Sequence, residues 1–270
     1  MKIFRFKKFD CNHSKSSMKI GVDAVLLGAW TDIADCRKAL DVGTGCGVIA
    51  LMLAQRIDDE IRQETVDREK NDEPARILSV NSDFSIAAID IDPPSVEEAN
   101  ENFANSPWSD SLTALETDFR NLGDEKYDLI VSNPPYFDDG VADPQGARML
   151  ARHQADLSPS QLLRVCKENL SPSGRIALVL PFSQADTLES FANEIGYQLL
   201  RRTDVKGHAN APVKRSLMEF AVTKEAEHTE GNKISVADKP ATRNTLILEE
   251  TPGMPTTDHR SLCKNFYLKF

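Results

Sequence analysis

Three alternating glycines between an apolar strand and an apolar helix constrain the fold of this 270-residue chain most strongly. Ala39–Val42 predicts a strand, Gly43, Gly45 and Gly47 form the turn, and residues 48–56 predict the helix that follows. Glycines allow the backbone to pass close to a bound ligand, so this arrangement is typical of a nucleotide-binding turn. The sixth position of the motif is valine, which departs from the dinucleotide pattern G-x-G-x-x-G. A tight turn without a ligand is the simpler alternative.

Strand-like and helix-like segments alternate through the rest of the chain. Strands are predicted at 85–90, 112–115, 127–131 and 175–180, helices at 93–104, 158–170 and 184–194, and a hairpin at 197–205 and 216–223. The pattern predicts an α/β fold with a doubly wound, mostly parallel sheet and antiparallel C-terminal strands. We expect one domain over residues 1–270, with a basic N-terminal arm (1–30) and polar insertions near 58–82 and 224–243 that form loops.

Charge is distributed unevenly. The formal net charge of −10 argues against indiscriminate nucleic-acid binding, which depends on neutralising phosphates. Residues 1–19 nevertheless contain six basic side chains and one acidic one, with three phenylalanines between them. The basic residues are Lys2, Arg5, Lys7, Lys8, Lys15 and Lys19. This arm is either a solvated terminus or a surface that contacts RNA.

The remaining composition excludes several classes of protein. Five scattered cysteines form no CxxC pair and have no histidine at ligand spacing, so we expect reduced thiols and no metal site. No apolar stretch is long enough to span a membrane, and the N-terminus lacks the pattern of an export signal. We therefore expect a cytoplasmic protein.

Two carboxylates follow the strand ends near the glycine turn. Asp41 lies at the end of the first strand and could hold water or an amino group there, while Asp90 ends the next strand. An acid at that second position commonly accepts hydrogen bonds from ribose hydroxyls. Asp90 could alternatively be a solvated strand terminus. Together with the glycines, the two acids favour a nucleoside ligand.

Asn133-Pro134-Pro135-Tyr136 follows the strand predicted at 127–131. The Asn133 amide oxygen and the Pro134 carbonyl can accept both hydrogens of a planar amino group, which frees the nitrogen lone pair for alkylation. Pro134 and Pro135 fix the backbone, and Tyr136 offers a ring for stacking a flat substrate. A proline-rich turn is the alternative, but ligands bind at the carboxyl ends of such strands.

These motifs resemble those of class I S-adenosylmethionine-dependent methyltransferases that act on amino nitrogens. The resemblance then narrows to the family of bacterial tRNA(1Val) adenine N6-methyltransferases. It is carried by Phe6–Phe9, Met18–Asp23, Leu26–Trp30, Ala50–Arg56, Ser106–Trp108 and Phe266–Leu268, and it runs nearly end to end.

The resemblance implies a Rossmann-like fold, S-adenosylmethionine as cofactor, and tRNA, at the adenine beside the anticodon, as substrate. By the resemblance, the cofactor is held by Asp41, Gly43, Gly45, Gly47, Asp90 and Asp118, and Asn133, Pro134, Pro135 and Tyr136 form the reactive centre. The candidates for RNA contact are Lys7, Lys8, Lys19, Arg148, Arg152 and Arg215. No metal is implied.

Other functions remain open from the residues alone. The same tetrapeptide also occurs in enzymes that methylate glutamine side chains of release factors or guanine amines of ribosomal RNA. The choice of adenine as the substrate base therefore depends on the resemblance alone. A noncatalytic nucleotide-binding adaptor or an NAD enzyme would share the sheet. The missing sixth-position glycine disfavours NAD, and the tetrapeptide disfavours an inert adaptor.

Overall fold

The computed structural model describes residues 2–70, 83–134, 158–223 and 240–270. The strands are β1 (Ile3–Arg5), β2 (Asp10–Asn12), β3 (Lys38–Val42), β4 (Ser85–Asp90), β5 (Leu112–Glu116), β6 (Tyr127–Ser132), β7 (Leu170–Pro181), β8 (Tyr197–His208), β9 (Val213–Val222), β10 (Thr242–Thr251) and β11 (Met254–Pro255). The helices are α1 (Val22–Trp30), α2 (Val48–Lys70), α3 (Pro93–Ala104), α4 (Pro159–Cys166), α5 (Phe182–Glu194) and α6 (Thr257–Cys263).

Nine of these strands form one sheet in the order β11-β10-β8-β9-β7-β6-β3-β4-β5. Five neighbouring strands, β5, β4, β3, β6 and β7, are parallel to one another. Strand β9 is antiparallel to both β7 and β8, and β10 is parallel to β8. From β3 the chain first builds β4 and β5 on one side and then β6 on the other. The order of strands therefore reverses at β3, which is where doubly wound folds place their ligands.

Apolar side chains cover both faces of the sheet. Along β6, Leu129 and Val131 belong to one buried cluster, and Tyr127 and Ile130 belong to the other. The first cluster contains apolar residues of α1, α2 and α3, and the second contains those of α4 and α5. From Leu129 to Val131 the side chains alternate with a period of two and so contact helices on opposite faces, as a doubly wound fold requires. Tyr127 departs from this alternation, and the pairing of β6 with β7 shifts register between Tyr127 and Leu129.

The predicted starts of two helices are confirmed. The Asp92 side chain accepts a hydrogen bond from the Ser95 backbone N–H at 3.2 Å, with prolines at the first positions of α3. Ser158 similarly accepts from the Gln161 N–H at 3.2 Å at the start of α4. The expected end of α4 was wrong, because the helix stops at Cys166 and residues 167–169 form a 3₁₀ turn.

The loop expected over residues 58–82 was also wrong for its first half. Helix α2 continues to Lys70. Its polar residues support the helix at a spacing of four, since Arg62 pairs with Asp58 at 2.8 Å and Gln63 donates to Asp67 at 3.0 Å. Glu, Gln, Arg and Lys are also good helix formers, so the many charged residues after position 58 indicate a solvent-exposed helix. The second expected loop, 224–243, overlaps the first two residues of β10, which begins at Thr242.

The N-terminal hairpin β1–β2 packs against the body of the protein. Phe6 and Phe9 are buried, and their rings stack with centroids 4.6 Å apart. Phe6 also forms an isolated β-bridge with Tyr267. The beginning of the basic arm is therefore fixed in the fold through its phenylalanines.

Candidate active site

A cavity of about 220 Å³ lies at the carboxyl ends of β3, β4, β5 and β6. Its walls are formed by residues 43–46 of the glycine turn, 90–92 after β4, 117–119 after β5, Asn133 after β6, and 17–20 of the N-terminal segment. The structure thus brings both sequence motifs to one site, although they are about ninety residues apart in the chain.

The glycine turn requires glycine for two different reasons. Gly43, Gly45 and Gly47 have φ angles of 72°, 55° and 83°, in the left-handed region that other residues rarely adopt. A Cβ on Gly47 would lie 2.5 Å from the ring of Phe103 on α3, so this glycine allows the close approach of that helix. A Cβ on Gly45 would meet no atom within 4 Å. Because Gly45 lines the cavity, its missing side chain leaves room for a ligand.

Asp41 is completely buried beneath this turn. Its Oδ2 atom accepts hydrogen bonds from the Thr44 hydroxyl at 2.7 Å and the Ala50 N–H at 3.3 Å. Burial raises the pKa of Asp41 from its ordinary 3.8 to about 7, although these two bonds oppose the shift. Asp41 is not among the residues that line the cavity, and its Oδ1 has no hydrogen-bond partner within the described parts of the chain. The Asp41 side chain therefore stabilises the glycine turn from the protein interior, through Thr44 and Ala50.

Asp90 faces the cavity directly. Its Oδ2 accepts a hydrogen bond from the Gly45 N–H at 2.9 Å, and its Oδ1 accepts from the Asp92 N–H at 3.0 Å. Burial raises the pKa of Asp90, and the backbone donors partly offset that effect. The two carboxylate oxygens have four acceptor positions between them, so beside the backbone N–H groups of Gly45, Asp92 and Ile91 there is still acceptor capacity for a ligand.

Asp118 lines the cavity after β5, the strand next to β4, and the preceding Thr117 N–H donates to the Asp90 carbonyl at 3.0 Å. The Arg120 side chain donates to it at 2.9 Å and lowers the pKa of the Asp118 carboxyl. Asp118 thus remains ionised while it lines the cavity. Two apolar wall residues beside these acids, Ile91 and Phe119, were not predicted as site residues. Ile91 is 42% exposed, and the only trace of its role in the sequence is an apolar residue directly after a strand-terminal acid.

Asn133 follows β6 without an intervening residue, and Pro134 after it is buried. Asn133 lines the cavity, yet its Oδ1 is buried and accepts no hydrogen bond from any described residue. An unpaired buried acceptor is costly, which makes this oxygen a candidate for binding a substrate donor. Pro135 and Tyr136 lie outside the described residues, as do Arg148 and Arg152. Their predicted roles stay predictions.

The residues before α1 form a wall that the sequence did not predict. Ser17, Met18, Lys19 and Ile20 all line the cavity, and Met18 is 49% exposed. Lys19 was expected to contact RNA, and the structure places it at this wall, with its Nζ donating to the backbone oxygens of Ser14 and Ser16. No local pattern of residue types predicts that Ser17, Met18 and Ile20 line this cavity.

The other candidate RNA contacts that the structure describes have partners within the protein. Lys7 donates to the backbone oxygens of Lys264 and Phe270, and Lys8 pairs with Asp59 at 2.5 Å. Arg215 pairs with Asp23 at 2.9 Å. These bonds occupy part of each side chain's donor capacity, so a role in RNA binding stays a prediction for all three.

The described part of the chain offers neither a metal site nor a membrane-spanning helix. Within residues 2–70, 83–134, 158–223 and 240–270, no group of three or more His, Cys, Asp or Glu side chains could hold a metal ion. None of the helices in that part of the chain is long and apolar enough to cross a membrane. All five cysteines are buried and free.

Comparison with known proteins gives consistent results. Residues 42–211 match the family model described as UPF0020, RMKL-like, methyltransferase domain. A tRNA1(Val) (adenine(37)-N6)-methyltransferase of Parabacteroides distasonis is 39% identical over 98% of each chain. An enzyme of the same name from Trichodesmium erythraeum is 36% identical over 99% of this chain and 98% of its own. The crystal structure of a predicted O-methyltransferase from Agrobacterium tumefaciens shares the fold, with a TM-score of 0.58, 15% identity, and coverage of 90% of this chain and 96% of the other.

Proposed function

This chain belongs to the family of tRNA1(Val) (adenine(37)-N6)-methyltransferases, and from that premise we propose that it methylates N6 of an adenine in transfer RNA. The adenine beside the anticodon of tRNA1(Val) is the proposed position. The enzyme is a methyltransferase that uses S-adenosylmethionine, and we place its reaction in the cytoplasm. The assignment of individual residues below is part of the proposal.

The unpaired Oδ1 of Asn133 is the observation that carries the proposal. This atom is buried, lacks a partner among the described residues, and belongs to a residue that shares one cavity with the glycine turn. An exocyclic adenine amine has two N–H donors in one plane. We propose that Asn133 Oδ1 accepts one of them and the Pro134 carbonyl accepts the other, which weakens conjugation of the nitrogen lone pair with the ring.

The cofactor end of the cavity supports the same reaction. Gly45 leaves open space at the turn, and the Asp90 carboxylate keeps acceptor capacity that suits a ribose hydroxyl. Ile91 and Phe119 offer apolar walls, and ionised Asp118 offers an acceptor. When bound, S-adenosylmethionine supplies an electrophilic methyl group on its sulfonium. The glycine turn and Asp90 would hold it within the cavity that Asn133 closes at the strand β6 side.

Proton transfer needs no dedicated base in this scheme. The amine nitrogen becomes acidic only as it is alkylated, so its proton can leave to solvent afterwards. The protein's contribution is to position the amine and to provide acceptors where positive charge develops. In an anticodon loop the target base must also be turned outward, at a modest cost in stacking. The proposed stacking partner is Tyr136.

The decisive experiment offers labelled S-adenosylmethionine to unmodified tRNA, ribosomal RNA and release factor in parallel. Nuclease digestion and mass spectrometry then locate the label. We expect N6-methyladenosine at the position beside the anticodon of one tRNA. Label in guanine or in a glutamine side chain would assign the same fold to a different amino nitrogen and overturn the adenine assignment.

A further inference from the structure

Helix α3 forms hydrogen bonds with residues 14–16, which directly precede the cavity-lining residues 17–20. The Glu98 carboxylate is fully buried and accepts hydrogen bonds from the backbone N–H groups of Ser14, Lys15 and Ser16 at 2.6, 2.8 and 2.7 Å. The Ser14 hydroxyl adds a fourth bond at 3.1 Å. Three successive backbone donors that converge on one carboxylate fix the course of the segment directly before residues 17–20.

A second residue on the same face of α3 also forms hydrogen bonds with the N-terminal segment. Asn102 lies four positions after Glu98, donates to the backbone oxygens of Asn12 and Cys46 at 2.8 Å, and accepts from the Asn12 N–H at 2.9 Å. Cys46 belongs to the glycine turn. One helix face therefore bonds to the N-terminal segment and to the nucleotide-binding turn together.

Charge pairs on the exposed side of α3 reinforce this attachment. Lys15 pairs with Glu97 at 2.9 Å and with Glu101 at 2.7 Å. Helix α3 itself begins at Pro93, three residues after Asp90, so its start is tied to the end of β4 at the cavity. The distances between Asp90, the glycine turn and residues 17–20 are thus all set by one rigid element.

We propose that Glu98 is a positioning residue for cofactor binding: it holds residues 14–16 so that Ser17–Ile20 form a preorganised wall against the bound cofactor. The negative charge is required, because an amide at this position has only one acceptor atom for four donors. The inference rests on the proposed function only for the identity of the cofactor. It assigns Glu98 no contact with tRNA or with the reacting atoms.

The experiment compares Glu98→Ala, Glu98→Gln and Asn100→Ala with the wild-type protein. Asn100 also lies on α3 and bonds to the backbone of Ala114 through both amide atoms, at 2.9 and 3.0 Å, but does not touch the N-terminal segment. Its replacement costs two side-chain hydrogen bonds without releasing the wall. It is therefore a matched control for loss of stability.

Binding of S-adenosylhomocysteine is measured by titration calorimetry, and limited trypsin digestion reports release of the segment by cleavage after Lys15 or Lys19. We expect Glu98→Ala to weaken binding by at least about tenfold, because four donors lose their acceptor. It should also accelerate cleavage at these sites. In turnover assays KM for the cofactor should rise while kcat at saturating cofactor is largely kept.

Asn100→Ala should change neither the affinity nor the cleavage sites. If Glu98→Ala does not fold, Glu98→Gln gives the answer, because it keeps the side-chain volume. A folded Glu98 variant with wild-type affinity and wild-type protection from trypsin would overturn the inference. Wild-type protein that binds S-adenosylhomocysteine but does not methylate tRNA would overturn the proposed substrate alone.

Discussion

The backbone N–H of Gly45 donates a hydrogen bond to the carboxylate of Asp90 over 2.9 Å. This bond joins the turn after β3 to the end of β4, and the N–H groups of Gly43 and Thr44 add two bonds to the Ile89 carbonyl at 2.9 and 3.0 Å. A turn with three left-handed glycines would otherwise have high conformational freedom. Its shape is therefore fixed before any ligand binds.

Replacing Asn133 with alanine should reduce turnover by a factor of about 10²–10³, because one acceptor for the amine is lost. Affinity for S-adenosylhomocysteine should remain nearly unchanged, since the glycine turn and Asp90 are untouched. Single-turnover kinetics and titration calorimetry measure the two quantities. Asn105→Ala, an exposed asparagine at the end of α3, is the control. Equal losses of rate and cofactor affinity in Asn133→Ala would contradict the role of the amide.

Alanine at two of the glycines should separate stability from binding. Gly47→Ala should lower the free energy of unfolding by about 2–4 kcal/mol, because a left-handed φ and a clash with Phe103 act together. Gly45→Ala carries only the conformational strain of about 1 kcal/mol, but it adds a methyl group in the open space at the turn. Its main effect should be weaker binding of S-adenosylhomocysteine. Urea unfolding and calorimetry of both variants test this contrast, which a reversed order of the two stabilities would refute.

The raised pKa of Asp41 predicts a pH-dependent stability. Between about pH 4 and 7 the unfolded chain has lost the Asp41 proton and the folded protein has kept it. The folded state then binds more protons, so stability falls as pH rises, by at most about 1.4 kcal/mol per pH unit from this residue. Above about pH 7 this contribution becomes constant.

Asp41→Asn should remove that contribution. The difference in unfolding free energy between wild type and variant should therefore fall from pH 4 to pH 7 and level off above it. Urea titrations at half-unit pH intervals give the difference directly. A flat difference across this range would show that Asp41 is ionised in the folded protein at low pH.

Lys19→Gln should weaken tRNA binding and reduce the slope of log affinity against log salt concentration by about one. Lys19 stands at the cavity wall with backbone oxygens as its hydrogen-bond partners, so its charge is available to a phosphate. Lys15→Gln is the matched control, because Lys15 lies in the same segment but is paired with Glu97 and Glu101. Filter binding at several salt concentrations distinguishes them, and identical slopes for both variants would exclude Lys19 from the RNA surface.

The parallel part of the sheet could be predicted from sequence because each strand is a short apolar run bounded by glycine, proline or an acid. β4 was predicted with its correct bounds, and α3 was predicted from its two prolines. β10 could not be predicted in this way. Only Leu246 is buried in it, and its place in the sheet comes from pairing with β8, some forty residues earlier in the chain.

The site residues that could be predicted from sequence are those that lie at or directly after the end of a strand. The glycine turn, Asp90 and Asn133 each end or follow a strand, and parallel strands bring those ends together. The wall at Ser17–Ile20 has a different origin, since its position depends on Glu98, which lies about eighty residues later in the chain. A contact of that kind leaves no periodic pattern in either segment.

Strand register sets the distance between the two halves of the site. Val42 and Ser132 are paired across β3 and β6, and the Ser132 hydroxyl donates to the Val42 carbonyl at 2.8 Å. A slip of one residue between these strands would move Asn133 by about 3.3 Å relative to the glycine turn and reverse the face of every β6 side chain. The distance between the methyl donor and the amine acceptor therefore depends on correct pairing of β3 with β6. Mutations in these strands can change that distance without contacting any ligand.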